Sequence, residues 1–168
     1  MNWSYRLGWL FFRTFFALYS RARFFNAERV PAKGPVILAS NHASFLDPPL
    51  VGSGLGRMVN YLGRDTLFDV PGLAAMLRSW KVVPVDREGG GAGLKAILDR
   101  LRKGGVILLF PEGTRSSDGA LRPAKSGIGL AVIKSTAPVV PVRVFGTFDA
   151  YGRHLKWPRP RRLTVHYG

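Results

Sequence analysis

The stretch VILASNHASFLDPP, Val36–Pro49, decides how the chain is read. It opens on a short apolar, β-branched run, the mark of a buried strand over Val36–Ser40. It closes on a carboxylate followed by two prolines, which predicts a helix from Pro48 to about Leu55 with Asp47 as its N-cap. A strand that passes through a loop into a helix is one unit of an α/β fold. His42 stands in that loop, five residues before Asp47. On a straight helix the two would point about 140° apart. A loop can fold back and bring them together, so that the carboxylate accepts from one imidazole nitrogen and leaves the other free as a base. The plainer alternative is a loop histidine with Asp47 as a helix cap only. No activated Ser or Cys accompanies the pair, so the nucleophile is expected from the substrate, with a hydroxyl as the natural candidate.

Outward from this stretch, short apolar runs recur at Val59–Gly63, Val82–Asp86, Val106–Phe110, Val139–Val144 and Leu163–Tyr167. Helical patterns fall between them at Pro71–Trp80, Gly93–Lys103 and Lys125–Ser135. The alternation predicts an α/β domain with a mixed, largely parallel central sheet flanked by helices. The glycine-rich Arg87–Gly93 reads as a loop, since it lacks the spacing of a dinucleotide fingerprint. With 168 residues, 46% of them hydrophobic, the chain can bury the core of one domain and is not disordered. It has no cysteine, which excludes disulfides, thiolate nucleophiles and cysteine-ligated metal. His154 and His166 lie far from His42 without ligand spacing, so no metal site is expected.

The first 25 residues hold six of the 11 phenylalanines. Arg13 interrupts the run, which argues against a span of about 20 apolar residues. On a helical wheel Asn2, Arg6, Arg13 and Ser20 fall within about 40° and leave a broad aromatic surface. That pattern suits a helix lying in a bilayer interface, with Arg21 and Arg23 available to lipid phosphates. A helix packed on the domain's own core is the alternative. The expected organisation is a membrane-associating helical segment over residues 1–30 and a catalytic domain over 31–168. A formal charge of +15 calls for an anionic partner. Nucleic acid is disfavoured, because no helix-turn-helix, zinc finger or RNP motif is present. The basic tail Arg153–Arg162 fits anionic lipid better.

A second constellation, FPEGTRSSDG at Phe110–Gly119, follows the strongest strand. Ligands of α/β domains gather at strand ends. Gly113 would let backbone N–H groups approach a phosphate, and Arg115 can bind one bidentately. The same residues would also make an ordinary turn with a solvated Glu–Arg pair.

Taken together, NHASFLD (Asn41–Asp47) resembles the NHxxxxD motif of the glycerolipid acyltransferases, the lysophosphatidate acyltransferase (PlsC-like) family, and FPEGTRS (Phe110–Ser116) its second signature. VVPVDR (Val82–Arg87) and APVVPV (Ala137–Val142) resemble two weaker blocks in the same order. The resemblance implies acyl transfer from acyl-CoA or acyl carrier protein, as co-substrate and without a cofactor. The implied acceptor is the sn-2 hydroxyl of lysophosphatidate, giving phosphatidate for phospholipid biosynthesis. Carried over, His42 is the general base and Asp47 its orienter. Arg87, Glu112, Gly113, Thr114, Arg115 and Lys125 hold the acceptor, and Pro141 shapes the acyl site. The implied location is the cytoplasmic face of the cell membrane, peripheral or monotopic. Family members usually continue beyond the position of Gly168, which implies a minimal member or a further C-terminal segment. Two alternatives are another acceptor (glycerol 3-phosphate, a lysophospholipid or an acylated amino-acid lipid) and a non-catalytic lipid-binding relative, which should have lost the His–Asp pair.

Overall fold

The computed structural model of the chain describes residues 1–85 and 90–168. Its centre is β2 (Val36–Ser40), flanked in parallel by β6 (Val106–Leu109) and β7 (Val139–Phe145). β3 (Val59–Asn60) extends the sheet beyond β6, again in parallel. On the other side β8 (Thr164–Tyr167) pairs antiparallel to β7, and β1 (Arg23–Phe25) closes the edge parallel to β8. The order is β1-β8-β7-β2-β6-β3, so the sheet is largely parallel, as the alternation of elements implied. β4 (Leu62–Arg64) and β5 (Val83–Val85) form a separate parallel pair.

The run Val36–Ile37–Leu38 is fully buried because both sheet faces are covered. Val36, Leu38, Val106, Leu108, Val142 and Val144 face α1 (Trp3–Ser20) and α2 (Asp47–Ser53), packing with Phe16, Leu50 and Val51. Ile37, Ile107 and Leu109 face the opposite way, toward Ile97 and Leu101 of α4 (Gly90–Arg102) and Ala131 of α5 (Ser126–Ser135). This is the period-2 alternation of a strand, with apolar residues required at both phases. α3 (Pro71–Ser79) starts on its proline, and α6 (Thr147–Tyr151) is a short turn of helix after β7.

Several boundaries depart from the sequence reading. The run Val59–Gly63 is two strands: Val59–Asn60 pairs with β6, whereas Leu62–Arg64 pairs with β5. α4 begins at Gly90, inside the glycine run read as a loop to Gly93. The N-terminal segment, read as helical over residues 1–30, is helical to Ser20; Arg21 then takes a left-handed conformation at φ 46° and Arg23–Phe25 enters the sheet. The polar stripe of that helix also points differently. Arg13 donates to the Ser53 carbonyl at 3.0 Å, Asn2 donates to that of Ser79 at 2.7 Å, and Ser20 is buried. Trp3, Leu7, Leu10, Phe11 and Leu18 are turned outward instead, each more than half exposed. No helix of the described residues is long and apolar enough to cross a membrane.

Phe16, at 0% exposure, joins α1 to the sheet core. Phe16→Ala is expected to lower unfolding free energy by about 3–5 kcal/mol, the range for emptying a buried aromatic site. Urea denaturation followed by circular dichroism measures it, and a loss under about 1 kcal/mol would mean that α1 is not part of the cooperative core.

Candidate active site

β2 ends at Ser40, and Asn41 sets the path of the chain beyond it. Its side-chain amide donates to the Val144 carbonyl at 3.0 Å, and its side-chain oxygen accepts from the Val144 N–H at 2.7 Å. Asn41 thus extends the β2–β7 ladder by one rung with a side chain, releasing its own backbone to turn toward α2.

The turn brings His42 and Asp47 together, with Nδ1 2.8 Å from Oδ2. The same carboxylate oxygen accepts the N–H groups of Ala43 and Ser44, each at 2.7 Å. Asp47 is therefore not the N-cap read from the sequence. It is the first residue of α2, whose capping position is Leu46 without a side-chain bond, and its carboxylate reaches back into the loop. The fully buried acceptor fixes Nδ1 as the protonated nitrogen. Nε2 makes no hydrogen bond among the described residues and keeps its lone pair. The ring lies flat on Phe110, with centroids 3.8 Å apart, and is 17% exposed.

The FPEGTRS loop grips His42 by its backbone. Glu112 Oε1 accepts the His42 N–H at 2.8 Å, and the Ser116 N–H donates to the His42 carbonyl at 2.7 Å. Glu112 is thus committed to holding the histidine, with its second oxygen buried and unpartnered. Gly113 also serves differently from the expected phosphate contact. Its N–H donates to the Phe110 carbonyl at 2.9 Å, and it sits at φ 67° with the Lys125 stem where a Cβ would begin to crowd it. Lys125 donates its backbone N–H to the Pro111 carbonyl at 2.8 Å, which seats this stem across the loop.

Arg115 lies over the Phe45 ring at 3.4 Å, with Nη1 buried and unpartnered. Thr114 Oγ1 accepts from Arg153 at 2.8 Å, which brings a second guanidinium to the loop. Burial lowers the Arg115 pKa first, the Arg153 charge next and Arg64 further, against the opposing pull of Asp47 and Tyr151. Arg115, Arg153 and Arg64 thus make a cationic cluster with one unpartnered N–H, a kind of grouping suited to a phosphate. Arg87 lies outside the described residues.

Immediately after Asp47, Pro48 and Pro49 line an apolar cavity of about 250 Å³ enclosed by Trp9 and Phe12 of α1, Tyr61, and Trp80. This cavity lies between α1, α2 and α3, and Pro141, the residue expected at the acyl site, is not part of its lining. Pro141 pairs with Ala39 and lines a different cavity, of about 490 Å³, with Asn41, Glu112 and Arg143. Asn41, Phe110, Ser116, Arg64 and Arg153 all contribute to the site, and sequence reasoning assigns them no role. Asn41, Phe110 and Ser116 stand inside the two motifs, whereas Arg153 is legible only as part of a basic tail.

The largely parallel sheet thus sets the His42–Asp47 pair and the Arg115 loop at the ends of β2 and β6, with an apolar cavity beginning at Pro48. The chain belongs to the acyltransferase family, whose model matches residues 21–145, most of its length. Its sequence relatives include a chloroplastic 1-acyl-sn-glycerol-3-phosphate acyltransferase of Brassica napus, 35% identical over 124 residues. The enzyme of that name from Bacillus subtilis is 30% identical over 124 residues. These alignments cover 71% and 73% of this chain, but 36% and 61% of the relatives. The crystal structure of the lysophosphatidate acyltransferase PlsC from Thermotoga maritima superposes with a TM-score of 0.85 at 26% identity, over 97% of this chain and 66% of that one.

Removing the Glu112 side chain should leave the buried His42 N–H without a partner. Glu112→Ala is expected to cost about 1–3 kcal/mol, while Glu112→Gln, which keeps a carbonyl acceptor, retains most of the stability. Urea midpoints of the two variants decide this, and equal midpoints would show that the contact holds nothing in place.

Proposed function

We propose that the protein transfers an acyl group from an acyl thioester, acyl-CoA or acyl carrier protein, to the sn-2 hydroxyl of lysophosphatidate. The observation that carries this reading is the His42 imidazole, oriented through Nδ1 by Asp47 and with Nε2 unengaged, in a loop held by the same segment that carries Arg115. His42 Nε2 takes the hydroxyl proton as the oxygen attacks the thioester carbonyl. The C–O bond forms, the tetrahedral intermediate collapses, the C–S bond breaks and the leaving thiolate takes the proton held on His42. The acceptor phosphate lies against Arg115 and Arg153, with Arg64, Thr114 and Lys125 around it. An acyl chain lies in the cavity lined by Pro48 and Pro49, which starts one residue from Asp47. No cofactor takes part. Phosphatidate, the product, enters phospholipid synthesis.

His42→Ala is expected to lower turnover by about 10²–10⁴-fold with folding intact, the usual worth of a general base. The assay offers lysophosphatidate, glycerol 3-phosphate and a lysophospholipid diester with each donor type, and reads products by mass spectrometry. Wild-type turnover in a folded His42→Ala protein would overturn the mechanism, and preference for another acceptor would overturn the substrate.

The outward Trp3, Leu7, Leu10, Phe11 and Leu18 lie along α1 on the side away from the core, which suits the cytoplasmic face of a bilayer entered from one side. Polar replacement at Leu7, Leu10 and Phe11 together is expected to remove most binding to neutral vesicles while leaving unfolding by urea nearly unchanged. Co-sedimentation of the triple variant at wild-type levels would mean that the helix does not dock on lipid.

A further inference from the structure

At the other end of the sheet from His42, below the start of β6, lies a cavity of about 440 Å³. Arg6, Arg57, Lys81, Arg100 and Lys103 line it, with Met1 beside them. No Asp or Glu of the described residues does so. Asp99, paired with Arg102 at 2.9 Å, lines an adjoining cavity with Arg100 and Lys103. Two features build the site rather than scatter it. Arg57 is fixed by donating to the carbonyls of Pro31, Gly34 and Gly104, the last at 3.1 Å, so its guanidinium is a rigid part of the wall. Lys81 stands in a left-handed conformation at φ 55°, unusual for a lysine, which ends α3 at the cavity. Like charges brought this close repel, and a polyvalent anion relieves them.

We propose that this cavity binds a phosphate-bearing anion, and that at a bilayer surface its occupant is the headgroup of an anionic phospholipid. The lipid source follows from position. Met1 and Arg6 line the cavity and flank Trp3 and Leu7 of the outward apolar face, so a headgroup held here leaves its tails beside that face. The site is separate from the Arg115 cluster and stands whether or not the acceptor is lysophosphatidate; only the lipid source leans on α1 meeting a membrane.

The test compares Lys81→Glu/Lys103→Glu with a control of equal charge change, Arg159→Glu/Arg161→Glu, in the basic tail. Lys81→Gln/Lys103→Gln repeats it should the first variant fold poorly. Each protein is measured on phosphatidylcholine vesicles with and without phosphatidylglycerol, and by thermal unfolding with inorganic pyrophosphate. The cavity variant is expected to lose at least about tenfold of the preference for anionic vesicles, with neutral binding and turnover unchanged, while the control loses less. Pyrophosphate is expected to raise the wild-type unfolding temperature and not the variant's. Loss of the pyrophosphate response alone would support the anion site and overturn the lipid as its occupant. Equal losses in the control, or neither response lost in the cavity variants, would overturn the site.

Discussion

Three N–H groups converge on one oxygen of Asp47, and the working end of the molecule depends on that convergence. Two come from the backbone and curl the loop after β2 into a tight nest. The third is the imidazole, which the curl has just brought into reach. One buried carboxylate therefore does two things at once: it closes the turn that feeds α2, and it assigns the tautomer of His42. Burying a carboxylate is costly unless donors surround it. Here the donors are supplied by the very loop that the charge organises, so loop shape and imidazole orientation cannot be separated.

The rest of the site is arranged around this loop by long-range ties. Asn41 locks its beginning to β7, while Glu112 and Ser116 hold the backbone of His42 from the end of β6. Between them the ties reach both neighbours of the central strand, β7 and β6, so a sheet with β2 in the middle is what makes them reachable together. Phe110 then provides a flat floor for the imidazole and limits its rotation.

Burial decides how much of this is legible in the sequence. β2 and β6 sit deep in the sheet, and their continuous apolar runs are plain, while β7 and β8 show the alternation of half-buried strands. β1 is a three-residue edge strand reading Arg-Phe-Phe, too short to show a period, and its neighbours have the look of the preceding helix. The division of Val59–Gly63 between two sheets has no breaker residue to announce it. The His42–Asp47 partnership is legible because both partners lie in one loop. Glu112 lies 70 residues from the backbone group it holds, and spacing cannot report such a contact. Arg153 is hidden for the same reason, since a basic run in sequence does not say which member turns inward.

β1 leaves α1 after two residues and hydrogen-bonds along β8, a strand from the far end of the chain. The helix with the outward apolar face is thereby bolted to the sheet rather than hung from a linker. A tethered anchor would let a catalytic body tumble above a surface; a bolted one gives it a single tilt. If the outward face of α1 meets a bilayer, as proposed, the angle at which His42 looks toward it is set by strand pairing. An insertion at Arg21–Ala22 that spared every contact of the site would still act as a change of aim.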